Sequence, residues 1–169
     1  MISAVVLAAG ASRRFGEPKQ RLLLPEVLAR VQRSSVDDFL VVLGAHDVDT
    51  AAPTVRCPEW VRGPGASLRC GLAALPPETE AAVVVLADGP DLDPAAIDRV
   101  IELWRASGAD VVAATYHGVR LHPVLVARPA WDRIPDEGAR ELDAELVPCD
   151  DLTPPGDVDV PADLEERRS

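Results

Sequence analysis

The feature that most constrains the fold is a mostly apolar run at residues 2–7 (ISAVVL), broken only by Ser3. Apolar on both faces and rich in β-branched residues, it suits a strand covered on both sides, as inside a parallel sheet. It ends in Ala8-Ala9-Gly10-Ala11-Ser12, a stretch of small residues that lets a ligand approach the backbone. The cations Arg13, Arg14, Lys19 and Arg21 follow, opposed only by Glu17, so residues 12–21 carry a charge of +3. Backbone N–H groups at the carboxyl end of a buried strand, with fixed cations next to them, suit a triphosphate. Lys19 is the only lysine in the chain. Its compact charge fits a phosphate oxygen, whereas arginine favours planar, bidentate partners. The plainer reading of the stretch is an ordinary strand-to-helix turn with solvated arginines.

Beyond it the chain alternates. Buried strands are expected at residues 38–44, 81–87 and 109–115, with a returning strand at 122–126 after a turn at 116–120. Helices are expected at 26–33, where Pro25 suits the first turn, at 68–75 with Ser67 as N-cap, and at 94–107. Two further helices are expected at 131–134 and 137–146. Residues 45–58 are too short for a full unit and hold at most a brief strand at 54–56. This order predicts a right-handed, mostly parallel α/β sheet with one short antiparallel excursion.

Asp88 follows the third strand, at the edge where such sheets bind ligands, and a carboxylate there suits Mg²⁺. The alternative is a turn-forming aspartate. Asp91 and Asp93 are expected to cap the helix at 94–107. His122, beside the excursion, is open to two readings, a general base or a group that orients substrate or bonds within the wall.

Charge and composition narrow the partners. The net charge is −11, of which residues 136–169 carry −9, with 12 acidic residues against three arginines. That balance disfavours nucleic acid and anionic membranes, and a basic loop in an acidic chain points to a small anionic ligand. No apolar run approaches the ~20 residues of a membrane span. No signal peptide is evident, so a cytoplasmic protein is expected. At 169 residues the chain is expected to be one domain, 1–169. Cys57, Cys70 and Cys149 are far apart, so neither zinc nor a disulfide framework is expected.

Two phosphate motifs are missing. GxGxxG fails because Gly10 and Gly16 stand apart, and GxxxxGK[ST] fails because Glu17 follows Gly16 and Gln20 follows Lys19. An NAD-binding reading also lacks an acid near residue 30, where Arg30 and Arg33 stand. What is present, LAAG-x-S-x-R-x-G-x-x-K-x-x-LL, resembles the signature of nucleotidyltransferases that make molybdenum cofactor dinucleotides, and is most similar to the MocA-like cytidylyltransferase branch. The resemblance runs from Ile2 to Leu164 with gaps at residues 25–56.

The resemblance implies a three-layer, Rossmann-like nucleotidyltransferase fold and transfer of CMP from CTP to a phosphorylated acceptor, molybdopterin first. It implies nucleotide contacts from Leu7, Ala8, Ala9, Gly10, Ser12, Arg13, Arg14, Lys19, Gly65 and Ser67, with Arg14 and Lys19 steadying the triphosphate. Asp88 would be catalytic as a Mg²⁺ ligand, within L-x-D-x-P, where Gly89 replaces the usual Gln. In DVDVPADL, Asp159 would complete the metal site, with Asp157 as second choice. The segment Gly118–Val124 resembles G-x-R-G-H-P-V with Leu121 for Gly, and with Arg140 it supplies acceptor contacts at Arg120, His122 and Arg140. Ala9 matches cytidine users, while Gly there is typical of guanosine users. Its implied partners are a nucleoside triphosphate, the acceptor, and a molybdoenzyme or its chaperone. A rival of a different class is a non-catalytic nucleotide-binding carrier or chaperone of the pterin.

Overall fold

The computed structural model describes residues 1–10 and 19–156. Its centre is a seven-stranded sheet in the order β3-β2-β1-β4-β6-β5-β7. The strands are β1 (Ile2–Ala8), β2 (Asp38–Leu43), β3 (Thr54–Arg56), β4 (Ala81–Leu86), β5 (Val111–Tyr116), β6 (Val119–Ala127) and β7 (Glu145–Pro148). β1 pairs in parallel with both β2 and β4, β2 with β3, and β5 with β7. Only β6 is reversed, lying antiparallel to β4 and β5. The expected α/β sheet with one antiparallel excursion is therefore present.

Helices α1 (Lys19–Gln32) and α3 (Pro94–Ser107) cover one face, and α2 (Pro64–Ala73) the other. Alternation along β1 divides the core accordingly. Ala4, Val6 and Ala8 meet Leu24, Val27, Ile97 and Val100 on one side, while Val5 and Ala9 meet Leu68 and Leu72 on the other. Among the described residues no helix is long and apolar enough to cross a membrane.

Several expectations need correction. The chain is already helical at Lys19, so Pro25 lies inside α1 rather than in its first turn. Burial of Leu23, Leu24, Val27 and Val31 outweighs the hydrogen bond that Pro25 cannot make. α2 starts at Pro64, and Gly63 rather than Ser67 is its N-cap. Asp93 caps α3 as expected, accepting from the Ala95 N–H at 2.9 Å. The helices expected at 131–134 and 137–146 are only short 3₁₀ turns, Arg128–Arg133 and Ala139–Glu141, followed by strand β7. Edge pairing with β5 satisfies the backbone of β7, which helical spacing alone did not foresee.

The cysteines also depart from expectation. Cys57, just past β3, and Cys70 in α2 form a disulfide with Cα atoms 5.7 Å apart. They are 13 residues apart in sequence, but α2 folds back beside β3. Cys149 is free and buried.

Candidate functional site

The parallel strands end at one edge of the sheet, and β6 begins there. Order reverses between β1 and β4, since β1 leads to β2 on one side and the chain later returns to β4 on the other. Such a switch point opens the crevice in which α/β sheets bind ligands. Leu7 and Leu86 are paired across it, and the Ala87 N–H donates to the Leu7 carbonyl at 3.0 Å. Ala8 and Ala9 are buried and Gly10 is exposed. The end of β2 lies close against this turn, because a Cβ on Gly44 would fall 2.8 Å from the Ala9 carbonyl oxygen. Ser12, Arg13 and Arg14 fall outside the described residues, and Lys19 belongs to α1.

Beside β4 is a cleft of about 460 Å³. Leu86, Gly89, Leu92, Arg120, His122, Arg140 and Pro155 are among its lining residues. Arg120 and His122, both on β6, share this cavity with Arg140 from the separate Ala139–Glu141 turn, because β6 starts where β4 ends and the turn packs beside it. The loop carrying Asp88 runs between Leu86 and Gly89, which both line the cleft. Asp88 is close enough for its charge to act on His122.

His122 sits at a cis peptide bond to Pro123, and its carbonyl accepts from the Tyr116 hydroxyl at 3.2 Å. Burial pushes its imidazole down to about 4, with the Arg120 and Arg140 charges adding to the effect and Asp88 opposing it. The ring is therefore neutral at pH 7, a hydrogen-bonding group and not a cation. Burial also raises the Tyr116 phenol well above its ordinary range.

Arg120 donates through Nη1 to the Leu142 carbonyl at 2.8 Å and through Nη2 to the Ala139 carbonyl at 3.1 Å. Its Nε is sealed from solvent without a partner among the described residues, and burial lowers its pKa. Arg140 differs, with a side chain 72% exposed and, among the described residues, only a loose ion pair to Glu141 at 3.5 Å.

Two of the expected nucleotide contacts already have packing roles. A Cβ on Gly65 would fall 1.6 Å from the Pro135 carbonyl oxygen, so the close approach of two backbones explains that glycine. Ser67 is 2% exposed, with its N–H donating to the Gly63 carbonyl at 3.3 Å. The start of α2 is fixed to the 135–136 segment. The Gly65 N–H donates to the Asp136 carbonyl at 2.8 Å, and Asp136 pairs with Arg69 and Arg62. The Arg69 guanidinium, joined by Arg62, holds the Asp136 carboxyl below the usual carboxylate range.

Sequence reasoning missed the wall formed by residues 154–156. The Asp91 N–H donates to the Pro155 carbonyl at 2.8 Å. A Cβ on Gly89 would lie 3.3 Å from both Pro155 Cβ and the Gly156 oxygen. Glycine in place of the usual glutamine thus goes with a close approach of this wall. Pro154-Pro155-Gly156 is a strong turn signal that marked the segment, though not its destination.

Among the described residues no group of three or more His, Cys, Asp or Glu is placed to hold a metal. Mg²⁺ does not require one, since it commonly keeps waters and takes one or two carboxylates together with substrate phosphates. Asp88 fits as one such ligand. Asp157 and Asp159 lie outside the described residues.

Residues 4–148 match the model of the MobA-like NTP transferase domain. A probable molybdenum cofactor guanylyltransferase of Chloroflexus aggregans is 30% identical over 136 residues, which cover 74% of this chain and 64% of that protein. This chain thus spans under two thirds of that relative's length. The crystal structure of a homologue of Mycobacterium tuberculosis Rv0371c, from Mycobacterium sp. strain JC1, aligns with a TM-score of 0.81 at 27% identity, covering 98% of this chain and 94% of the other. Rv0371c from Mycobacterium tuberculosis H37Rv, in complex with manganese, aligns with a TM-score of 0.76 at 24% identity over 98% and 96% of the two chains, a likeness of fold.

Proposed function

This chain belongs to the MobA-like NTP transferase domain family, and from that premise we propose that it transfers a nucleotidyl group from a nucleoside triphosphate to a phosphorylated acceptor, molybdopterin first. The observation that carries the reading is the convergence at the switch point. The LAAG turn ends β1, the Asp88 loop ends β4, and Arg120 and His122 open β6, all at one sheet edge.

A terminal phosphate oxygen of the acceptor attacks the α-phosphorus. The bond from that phosphorus to the oxygen bridging to the β-phosphate breaks, and pyrophosphate leaves. Such a phosphate is largely ionised at pH 7, so the step needs no general base. A neutral His122 accordingly orients the acceptor or its wall. Backbone N–H groups of the turn from Ala8 to Gly10, with Ser12 and Arg13, cradle the triphosphate, and Arg14 and Lys19 neutralise it. Arg140 attracts the acceptor's phosphate at the mouth of the cleft. Asp88 and Asp159, or Asp157, would hold Mg²⁺, which when bound offsets phosphate charge and orients its oxygens.

The donor is CTP on the strength of Ala9. GTP is the second reading, favoured by the Chloroflexus relative, which is named a guanylyltransferase. Pyrophosphate release with Mg²⁺ and molybdopterin, compared for CTP, GTP and ATP, tests both. Release with CTP alone supports the reading, and release with GTP alone keeps the chemistry and overturns the base. Binding of a nucleotide without release points to the non-catalytic carrier.

A further inference from the structure

We propose that Arg120 is a positioning residue, whose guanidinium clasps the turn at Ala139–Glu141 so that Arg140 stands at the mouth of the cleft. The inference rests on the reading that this cleft takes a phosphorylated acceptor.

Ala139 seats the turn in the core beside Leu68 and Leu72, which leaves the backbone on the far side of Arg140 to be held. The turn's backbone bonds are local, from Glu141 N–H to the Gly138 carbonyl at 3.2 Å and from Leu142 N–H to the Ala139 carbonyl at 3.1 Å. Arg120 reaches it from another element, and its two Nη donors grip carbonyls on either side of Arg140. A planar fork can hold two acceptors at once in fixed geometry, whereas an ammonium is a point charge on a flexible stem. Arg120 is half-buried in β6, which is anchored between β4 and β5, so the grip ties the turn to the sheet. Arg140 is the residue left with its charge exposed, and Arg120 and Arg140 both line the cavity with His122. The two arginines therefore divide the work, one holding the turn and the other meeting the ligand.

The test is a double-mutant cycle with Arg120→Lys and Arg140→Ala, assayed with Mg²⁺, CTP and molybdopterin. Each single change is expected to raise the acceptor KM about tenfold, equivalent to about 1.4 kcal/mol, with kcat and the CTP KM unchanged. The double variant is expected to be no worse than Arg140→Ala, because the clasp acts through Arg140. Additive losses would show that residue 120 acts independently of Arg140, and an Arg120→Lys enzyme with a normal acceptor KM would show that charge at residue 120 suffices; either result overturns the proposal. Trypsin supplies a readout that needs no turnover. Cleavage of the Arg140–Glu141 bond, followed by mass spectrometry, should be faster in Arg120→Lys than in the unaltered protein at equal thermal stability, and an unchanged rate overturns the clasp. If Arg120→Lys does not fold, Gly138→Ala serves instead. Gly138 has φ 115°, a conformation that strains other residues, so alanine loosens the turn with Arg120 intact. It should raise the acceptor KM and speed the same cleavage, and failure of both overturns the idea. An unaltered protein that releases no pyrophosphate would refute the proposed function alone, while the trypsin comparison still decides the clasp.

Discussion

Gly65→Ala places one methyl group where the structure has a backbone. The new Cβ would fall 1.6 Å from the Pro135 carbonyl oxygen, 2.7 Å from its carbon and 2.9 Å from the Asp136 carbon. None of these is the end of a flexible side chain, so α2 and the 135–136 segment must separate. Separation breaks the 2.8 Å bond from the Gly65 N–H to the Asp136 carbonyl and the 2.7 Å bond from Arg69 to the Ile134 carbonyl. Overpacking costs about 1–3 kcal/mol, and each lost hydrogen bond about 1 kcal/mol. A loss of about 3–5 kcal/mol follows, a fall of about 6–20 °C in Tm for a chain of this size. Urea unfolding measures it, with Gly108→Ala as the control. Gly108 has φ 69° and nothing within 4 Å of a new Cβ, so that change carries only the left-handed penalty of about 1–2 kcal/mol. If Gly65→Ala costs no more than Gly108→Ala, the argument that close backbone approach selects this glycine is wrong.

Asp88→Asn should lower divalent-dependent turnover by about 100-fold or more, and near-normal turnover would remove Asp88 from the metal site. Under non-reducing conditions thiol titration should find Cys57 and Cys70 unreactive and Cys149 reactive only after unfolding. Reduction of a bond that closes a 13-residue separation should lower stability by about 2–4 kcal/mol, and three free thiols without reductant would refute the pairing. His122 has a folded pKa of about 4 against about 6.5 unfolded, so between those values the unfolded chain binds a proton that the folded chain does not. Stability should therefore fall as pH drops from about 6.5 to 4, with a slope of up to about 1.4 kcal/mol per pH unit. His122→Asn should flatten that limb, and an unaltered pH profile would sink the assignment.

The fold was legible where one physical term dominated. Runs apolar on both faces, at residues 2–7, 38–44 and 81–87, fit only interior strands, and β1, β2 and β4 lie there. Asp93 before Pro94 carried its capping chemistry in the local sequence. Legibility failed where tertiary partners decided. Spacing at 137–146 allowed a helix, but pairing with β5 drew residues 145–148 into the sheet. Cys57 and Cys70 look unrelated until α2 folds back on β3. The candidate site shows the same division. Arg120, His122 and Arg140 were individually visible as motif residues and do share a cavity, but that Arg120 grips carbonyls follows only from where the 139–141 turn packs.

The wall at residues 154–156 bears on how this chain should be divided. The family match ends at residue 148, and every strand among the described residues lies within the first 148. A fragment cut at that boundary would retain all seven described strands yet lose Pro154, Pro155 and Gly156 from the cleft, and with them the carbonyl that accepts from Asp91. It would also lose Asp151, whose carboxylate receives two hydrogen bonds from Arg99 of α3 at 2.7 and 2.6 Å. Such a fragment is expected to keep its strand pairing while its cavity stands open along one side. The boundary that suffices to recognise the family is thus shorter than the boundary that encloses its cleft, and libraries built on the shorter one would select for folding while discarding one wall of the site.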